Sequence, residues 1–103
     1  MAKVKITVVK RLSFDEIHAD SDVGCTPNMD PVCPRFVEGQ EFIREPGKMP
    51  EGFCPGAFVD IFRAIAEIQH GVEYGWVKEP GKTLVCCTDG FRPVVFRLER
   101  IEE

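Results

Sequence analysis

The first part of the chain alternates apolar and polar residues. Val4, Ile6 and Val8 are separated by lysine and threonine, which is the two-residue period of a strand with one solvated face. The lysines also predict that this strand lies at a sheet edge, where charge discourages pairing with other chains. Just after it, Ser13 and Glu16 have the spacing of a capping box and predict a short helical turn.

The middle of the chain has a helical period instead. Its apolar residues recur at steps of three and four: Phe58, Ile61, Phe62, Ile65 and Ile68. This pattern predicts an amphipathic helix over residues 55–70 whose apolar stripe packs on a sheet. Pro55 suits the first helical position because it has no N–H to leave unpaired, and Gly71 suits the left-handed residue that ends a helix.

Three further segments have β-rich composition: residues 36–43, 83–87 and 94–101. A turn or bulge is expected within the first, and the Asp89-Gly90 pair predicts that the other two form a hairpin. Residues 20–34 are expected to be irregular because proline, glycine and short polar residues are frequent there. The predicted fold is α+β: a bent, mainly antiparallel sheet of four or five strands with one amphipathic helix packed on it. The helix stripe should contact the apolar face of the last strand, made by Val94, Phe96 and Leu98.

Length and charge narrow the possible functions. The 103 residues predict a single domain over residues 1–103 that is large enough to bury a core. A net charge of −4 argues against nucleic-acid binding, which needs basic surface. No apolar run approaches the ~20 residues of a membrane span, and the amino terminus alternates instead of forming an apolar signal region. We therefore expect a cytoplasmic protein that binds neither membrane nor nucleic acid.

The five cysteines carry the main chemical signal. Disulfides are rare in the cytosol, so an odd number of cysteines there indicates free thiols, a metal site or redox chemistry. Cys33 lies in a loop, Cys54 immediately before the predicted helix, and Cys87 at the start of the hairpin turn, so these three can converge. Cys86 should point to the opposite face of its strand from Cys87 and is predicted to be a small core residue beside Leu84. Cys25 is expected to be an ordinary loop thiol.

Cys33, Cys54 and Cys87 therefore form a candidate metal site. Thiolates hold zinc and iron–sulfur clusters, either as a set of four or as three with another donor. The chain has no paired Cys-x-x-Cys motif, which is the usual signature of such sites. A protein-interaction module whose thiols are purely structural stays open as an alternative, because buried free cysteine is common.

Cys54 also supports an enzyme or redox alternative. At the start of a helix, unpaired N–H groups and the helix dipole favour a thiolate, which suits nucleophilic attack as well as metal binding. Arg92 would then orient an anionic substrate, although pairing between Arg92 and Asp89 is also possible. Neither histidine is a good partner base, since His18 lies in a short polar segment and His70 at the far end of the helix.

Three segments resemble a family of short prokaryotic proteins of about 90–100 residues that has no established activity: residues 39–42, 50–54 and 86–100. The most specific part is the pattern Cys-x-Asp-Gly-x-Arg-Pro-Val at residues 87–94. The resemblance implies that cysteines matching Cys33, Cys54 and Cys87 recur in the family, that Cys86 is replaceable by serine, and that Cys25 lies in a longer loop than usual. The resemblance thus implies which residues are candidates for a functional site, but it does not imply a reaction.

Overall fold

Four strands form one sheet in the computed structural model, which describes residues 2–101. The elements in chain order are β1 (Lys3–Arg11), α1 (Phe14–His18), β2 (Glu41–Arg44), α2 (Pro55–Gln69), β3 (Lys82–Cys86) and β4 (Val94–Ile101). All neighbouring strands are antiparallel, and their order in the sheet is β2-β1-β4-β3. Helix α2 packs on one face of this sheet. The fold is therefore α+β, as the sequence predicts.

Strand β1 lies in the interior of the sheet, so its prediction as an edge strand is wrong. Its lysines point along the solvated face rather than toward a free edge. The ammonium of Lys5 lies 3.9 Å from a carboxylate oxygen of Glu41 on β2 and 3.9 Å from one of Glu99 on β4. Lys5 thus pairs with acids on both neighbouring strands, which is a common stabilising arrangement across strands.

Helix α2 begins and ends as predicted. Cys54 is its N-cap residue, Pro55 its first residue, and Gly71 follows it with a φ of 86°, a left-handed conformation that favours glycine. Four of its residues belong to one hydrophobic core together with Val94, Phe96 and Leu98 of β4: Ala57, Ile61, Ile65 and Ile68. The predicted contact between helix and last strand is therefore confirmed for most of the stripe.

Phe62 departs from the predicted stripe. Its side chain is 45% exposed, and Ala57 takes a buried position on the helix instead. The guanidinium carbon of Arg44 lies 5.6 Å from the centre of the Phe62 ring. This cation–π contact at the margin of the helix gives the ring a partner outside the core.

The segment of residues 36–43 is mostly not a strand. Only its last three residues lie in β2, and a turn precedes them. Phe36 is buried, and its ring contacts those of Phe53 and Phe96 with centroids 5.1 Å and 5.2 Å away. The apolar character of residues 36–43 therefore comes in part from an aromatic side chain that fills the core from a loop. Composition alone cannot distinguish such a residue from one in a strand.

The short helix α1 packs against the turn between β3 and β4. Ser13 and Glu16 form the predicted capping box, with reciprocal hydrogen bonds of 3.2 Å and 2.8 Å. The Phe14 ring stacks on Phe91 at 5.5 Å, and His18 Nε2 lies 2.6 Å from the backbone oxygen of Gly90. None of the helices in residues 2–101 has both the length and the apolar character needed to cross a membrane.

Candidate functional site

One cavity lies between the start of α2, the loop that precedes β2, and the turn between β3 and β4. It has a volume of about 380 Å³, and Cys33, Cys54 and Cys87 all line it. Phe36 and Val94 contribute apolar surface to its wall. The structure thus brings the three predicted cysteines to one place, although they come from three distant segments of the chain.

The loop that carries Cys33 is fixed by Arg11 at the end of β1. One guanidinium nitrogen of Arg11 donates hydrogen bonds to the backbone oxygens of Cys33 (3.2 Å) and Phe36 (2.9 Å). The other terminal nitrogen lies 3.5 Å from a carboxylate oxygen of Glu38. Because the Arg11 side chain is only partly exposed, these charged contacts hold the irregular segment against the sheet.

Cys54 is placed by the start of α2. Its backbone oxygen accepts the hydrogen bond from Phe58 N–H (2.9 Å), while its side chain makes no capping hydrogen bond. The amides of Gly56 and Ala57 find no acceptor within residues 2–101. Both of these residues line the cavity. The helix start therefore leaves hydrogen-bond donors next to the Cys54 thiol.

Cys87 continues the ladder one residue beyond β3. Its N–H donates to the backbone oxygen of Val94 (3.1 Å), and its sulfur accepts a hydrogen bond from Val94 N–H (3.3 Å). Cys86 is exposed on the opposite face of the sheet, as is Leu84. The prediction of Cys86 as a core residue is therefore wrong, because α2 covers only the face to which Cys87 belongs.

Two acidic residues also line the cavity, and both hold backbone groups. Asp60 on α2 accepts a hydrogen bond from Thr88 N–H (2.9 Å), which joins the helix to the segment after Cys87. Asp89 accepts hydrogen bonds from the backbone N–H groups of Phe91 (2.8 Å) and Arg92 (3.3 Å). These bonds stabilise the turn, as aspartate commonly does.

The guanidinium of Arg92 contacts the long loop rather than the cavity. It donates a hydrogen bond to the backbone oxygen of Asp30 (3.3 Å), and Arg92 is not among the residues that line the cavity. Its interaction with Asp89 is made through its backbone N–H and not through its charge.

The three cysteines share a cavity without forming a ready-made coordination sphere. In the part of the chain that the structure describes, no three histidine, cysteine, aspartate or glutamate side chains are grouped so that they could hold a metal ion. All five cysteines are free, and Cys25 lines a different cavity beside Phe14. Any shared ligand of Cys33, Cys54 and Cys87 therefore requires their side chains to adjust.

Sequence patterns do not identify Arg11 and Asp60 as parts of this site. Arg11 acts on backbone oxygens 22 and 25 residues away, and Asp60 acts on a backbone N–H 28 residues away. Every residue offers a backbone oxygen, and every residue except proline offers a backbone N–H, so no local motif marks the partners.

No protein-family model, curated protein or solved structure matches this chain. The resemblance to a prokaryotic family through residues 87–94 therefore stays a prediction.

Proposed function

We propose that the protein binds a thiophilic metal, zinc or an iron–sulfur cluster, through Cys33, Cys54 and Cys87. The observation that carries this proposal is that three thiols from separate segments line a single cavity. Each of the three packs against the margin of the core but is partly exposed. Such placement suits ligands better than packing residues, and sulfur donors suit soft metals.

The cavity must close for all three sulfurs to share an ion, because zinc binds sulfur at about 2.3 Å. Rotation of cysteine side chains between staggered rotamers moves the sulfurs without moving the backbone. Arg11 and Asp60 hold the two backbone segments that carry Cys33 and Cys87. Closure around an ion therefore needs rotation of the cysteine side chains and little movement of the backbone. A water molecule or the carboxylate of Asp89 would supply the fourth ligand and complete a tetrahedral coordination of the ion.

The second candidate is a thiol enzyme or redox protein that uses Cys54. The unpaired amides of Gly56 and Ala57 favour it, because they lie where a thiolate or an anionic substrate would gain hydrogen bonds. Arg92 gives this alternative no support, since its guanidinium binds the Asp30 backbone. Under either proposal the five free thiols suit a reducing cytoplasm. A protein-interaction module with purely structural thiols is the third alternative.

Metal content and thiol reactivity distinguish these functions. The protein is purified reduced and without chelators, its metal is quantified, and zinc affinity is measured for the wild type and for serine variants of each cysteine. The proposal expects about one zinc ion or one cluster per chain, lost in Cys33→Ser, Cys54→Ser and Cys87→Ser but retained in Cys25→Ser and Cys86→Ser. Protein without metal affinity whose Cys54 alkylates rapidly would favour the enzyme, and inert thiols would favour the interaction module.

A further inference from the structure

The free edge of β3 has unpaired backbone groups. Strands β3 and β4 are antiparallel, and Cys87 N–H donates a hydrogen bond to the Val94 oxygen (3.1 Å). Because backbone groups alternate in direction along a strand, the odd-numbered residues of β3 are the ones that bond to β4. The amide groups of Lys82, Leu84 and Cys86 therefore point away from β4. They have no hydrogen-bond partner within residues 2–101. Such an edge can accept an additional strand.

Large apolar side chains are exposed beside this edge. Trp76 is 81% exposed and Leu84 is 64% exposed. Both line a cavity of about 400 Å³, and the Trp76 ring rests on Tyr74 with centroids 5.2 Å apart. Tryptophan in such a position is typical of residues that dominate the binding energy of protein interfaces.

The same cavity contains a cation that has no partner among residues 2–101. Arg97 on β4 lies directly across from Leu84, and its Nε is buried without a hydrogen-bond acceptor. Among the described residues its guanidinium makes no ion pair, whereas the neighbouring Lys82 lies 3.8 Å from a Glu99 carboxylate oxygen. Lys78 and Lys82 also line the cavity, together with a single acid, Glu79, so the lining carries more positive than negative charge. A buried donor without an acceptor is costly, and a carboxylate that binds the guanidinium from outside would give Arg97 a partner of opposite charge.

We propose that β3 binds an extended acidic segment of a partner protein as a fifth strand of the sheet. Its backbone would pair with Lys82, Leu84 and Cys86, an apolar side chain would cover Trp76, and a carboxylate would bind Arg97. Two strand spacings, about 10 Å, separate the added strand from β4, a distance that an arginine and a glutamate can bridge together. A second copy of this chain fits less well, because residues 82–86 contain a lysine and no carboxylate.

A selection from random peptides tests this proposal. Phage-displayed heptapeptides are selected on the immobilised, reduced wild-type protein, and enriched peptides are synthesised and titrated. Binding is followed by the emission of Trp76, the chain's single tryptophan. We expect enriched peptides to alternate apolar residues with at least one aspartate or glutamate and to shift the emission to shorter wavelength. Replacing that acid by its amide should weaken binding about tenfold or more.

The Arg97→Gln variant should bind the acidic peptide and its amide with equal affinity, while the exposed-site control Arg35→Gln should keep the wild-type difference. The amide comparison on the wild type stands even if Arg97→Gln does not fold. Enriched peptides without acidic residues, no enriched peptide at all, or an unchanged preference in Arg97→Gln would overturn the proposal. A dimer that Leu84→Asp dissociates would also overturn it, because a second copy would then occupy the edge.

Discussion

Asp60 accepts a hydrogen bond from the backbone N–H of Thr88 at 2.9 Å. This contact joins the second turn of α2 to the residue that follows Cys87, and so it fixes the distance between the segments that carry Cys54 and Cys87. Both Asp60 and Thr88 line the cavity that Cys33, Cys54 and Cys87 share, yet neither is a predicted ligand. The geometry of the candidate site thus depends on an acid that acts through the backbone.

Loss of the Asp60 acceptor should loosen the site without removing a sulfur. We expect Asp60→Ala to weaken zinc binding by about tenfold or more, the usual effect of removing a group that supports a ligand. Asp60→Asn keeps an oxygen acceptor and should stay closer to wild type. Calorimetric titration of the reduced proteins with zinc measures both. Equal affinity in wild type and Asp60→Ala would show that the Thr88 contact does not position Cys87.

Arg11 should matter both to stability and to Cys33. Arg11→Met removes two hydrogen bonds from a charged donor, so we expect the free energy of unfolding to fall by about 1–3 kcal/mol. The loop that carries Cys33 should also open, which raises the alkylation rate of Cys33. Denaturant unfolding and peptide mapping measure these two effects. Arg35→Met is the control, because Arg35 is exposed and makes no charged contact in the described structure; matching behaviour of the two variants would refute the role of Arg11.

Tyr74 predicts a loss of stability at high pH. Burial and a hydrogen bond of 2.6 Å to Glu67 raise the pKa of Tyr74 to about 12 from its usual 10. The unfolded chain loses the phenol proton near pH 10, whereas the folded chain keeps it until about pH 12. The stabilisation is therefore complete below pH 10 and declines between pH 10 and 12.

Absorbance at 295 nm should follow this ionisation cleanly, since Tyr74 is the chain's single tyrosine. Glu67→Gln should lower the pKa of Tyr74 because it removes a nearby negative charge. Ionisation near pH 10 in the folded wild-type protein would contradict the proposed environment of the phenol.

The contact between α2 and the sheet should supply much of the stability. Ile65 is fully buried in this contact, so Ile65→Ala should lower the free energy of unfolding by about 2–5 kcal/mol. Val59 lies on the same helix but is 74% exposed. Val59→Ala should change the free energy of unfolding by less than about 0.5 kcal/mol. Similar losses in the two variants would show that the helix packs through a different face.

The helix and the hairpin could be predicted from the sequence because their signals are local. Pro55 and Gly71 mark the ends of α2, and the Asp89-Gly90 pair lies between β3 and β4. Strand order depends on long-range pairing, so the lysines of β1 wrongly indicate an edge. A residue such as Phe36 fills the core from a loop, and its apolar character alone predicts a strand there.

The candidate site was predictable only in part. The positions of Cys33, Cys54 and Cys87 at the ends of elements indicate that they can meet, and they line one cavity. The contacts that hold them there are made by Arg11 and Asp60 to distant backbone groups, for which the sequence has no signal. The alternation of a strand separates Cys86 from Cys87, but it cannot show which face of the sheet remains uncovered.

Zinc protection of the individual cysteines tests the shared site most directly. Reduced, metal-free protein is alkylated briefly with and without zinc, and the modification of each of the five cysteines is quantified by mass spectrometry. We predict that zinc protects Cys33, Cys54 and Cys87 together and leaves Cys25 and Cys86 as reactive as before. Zinc that protects none of the three, or protects all five equally, would contradict a metal site in this cavity.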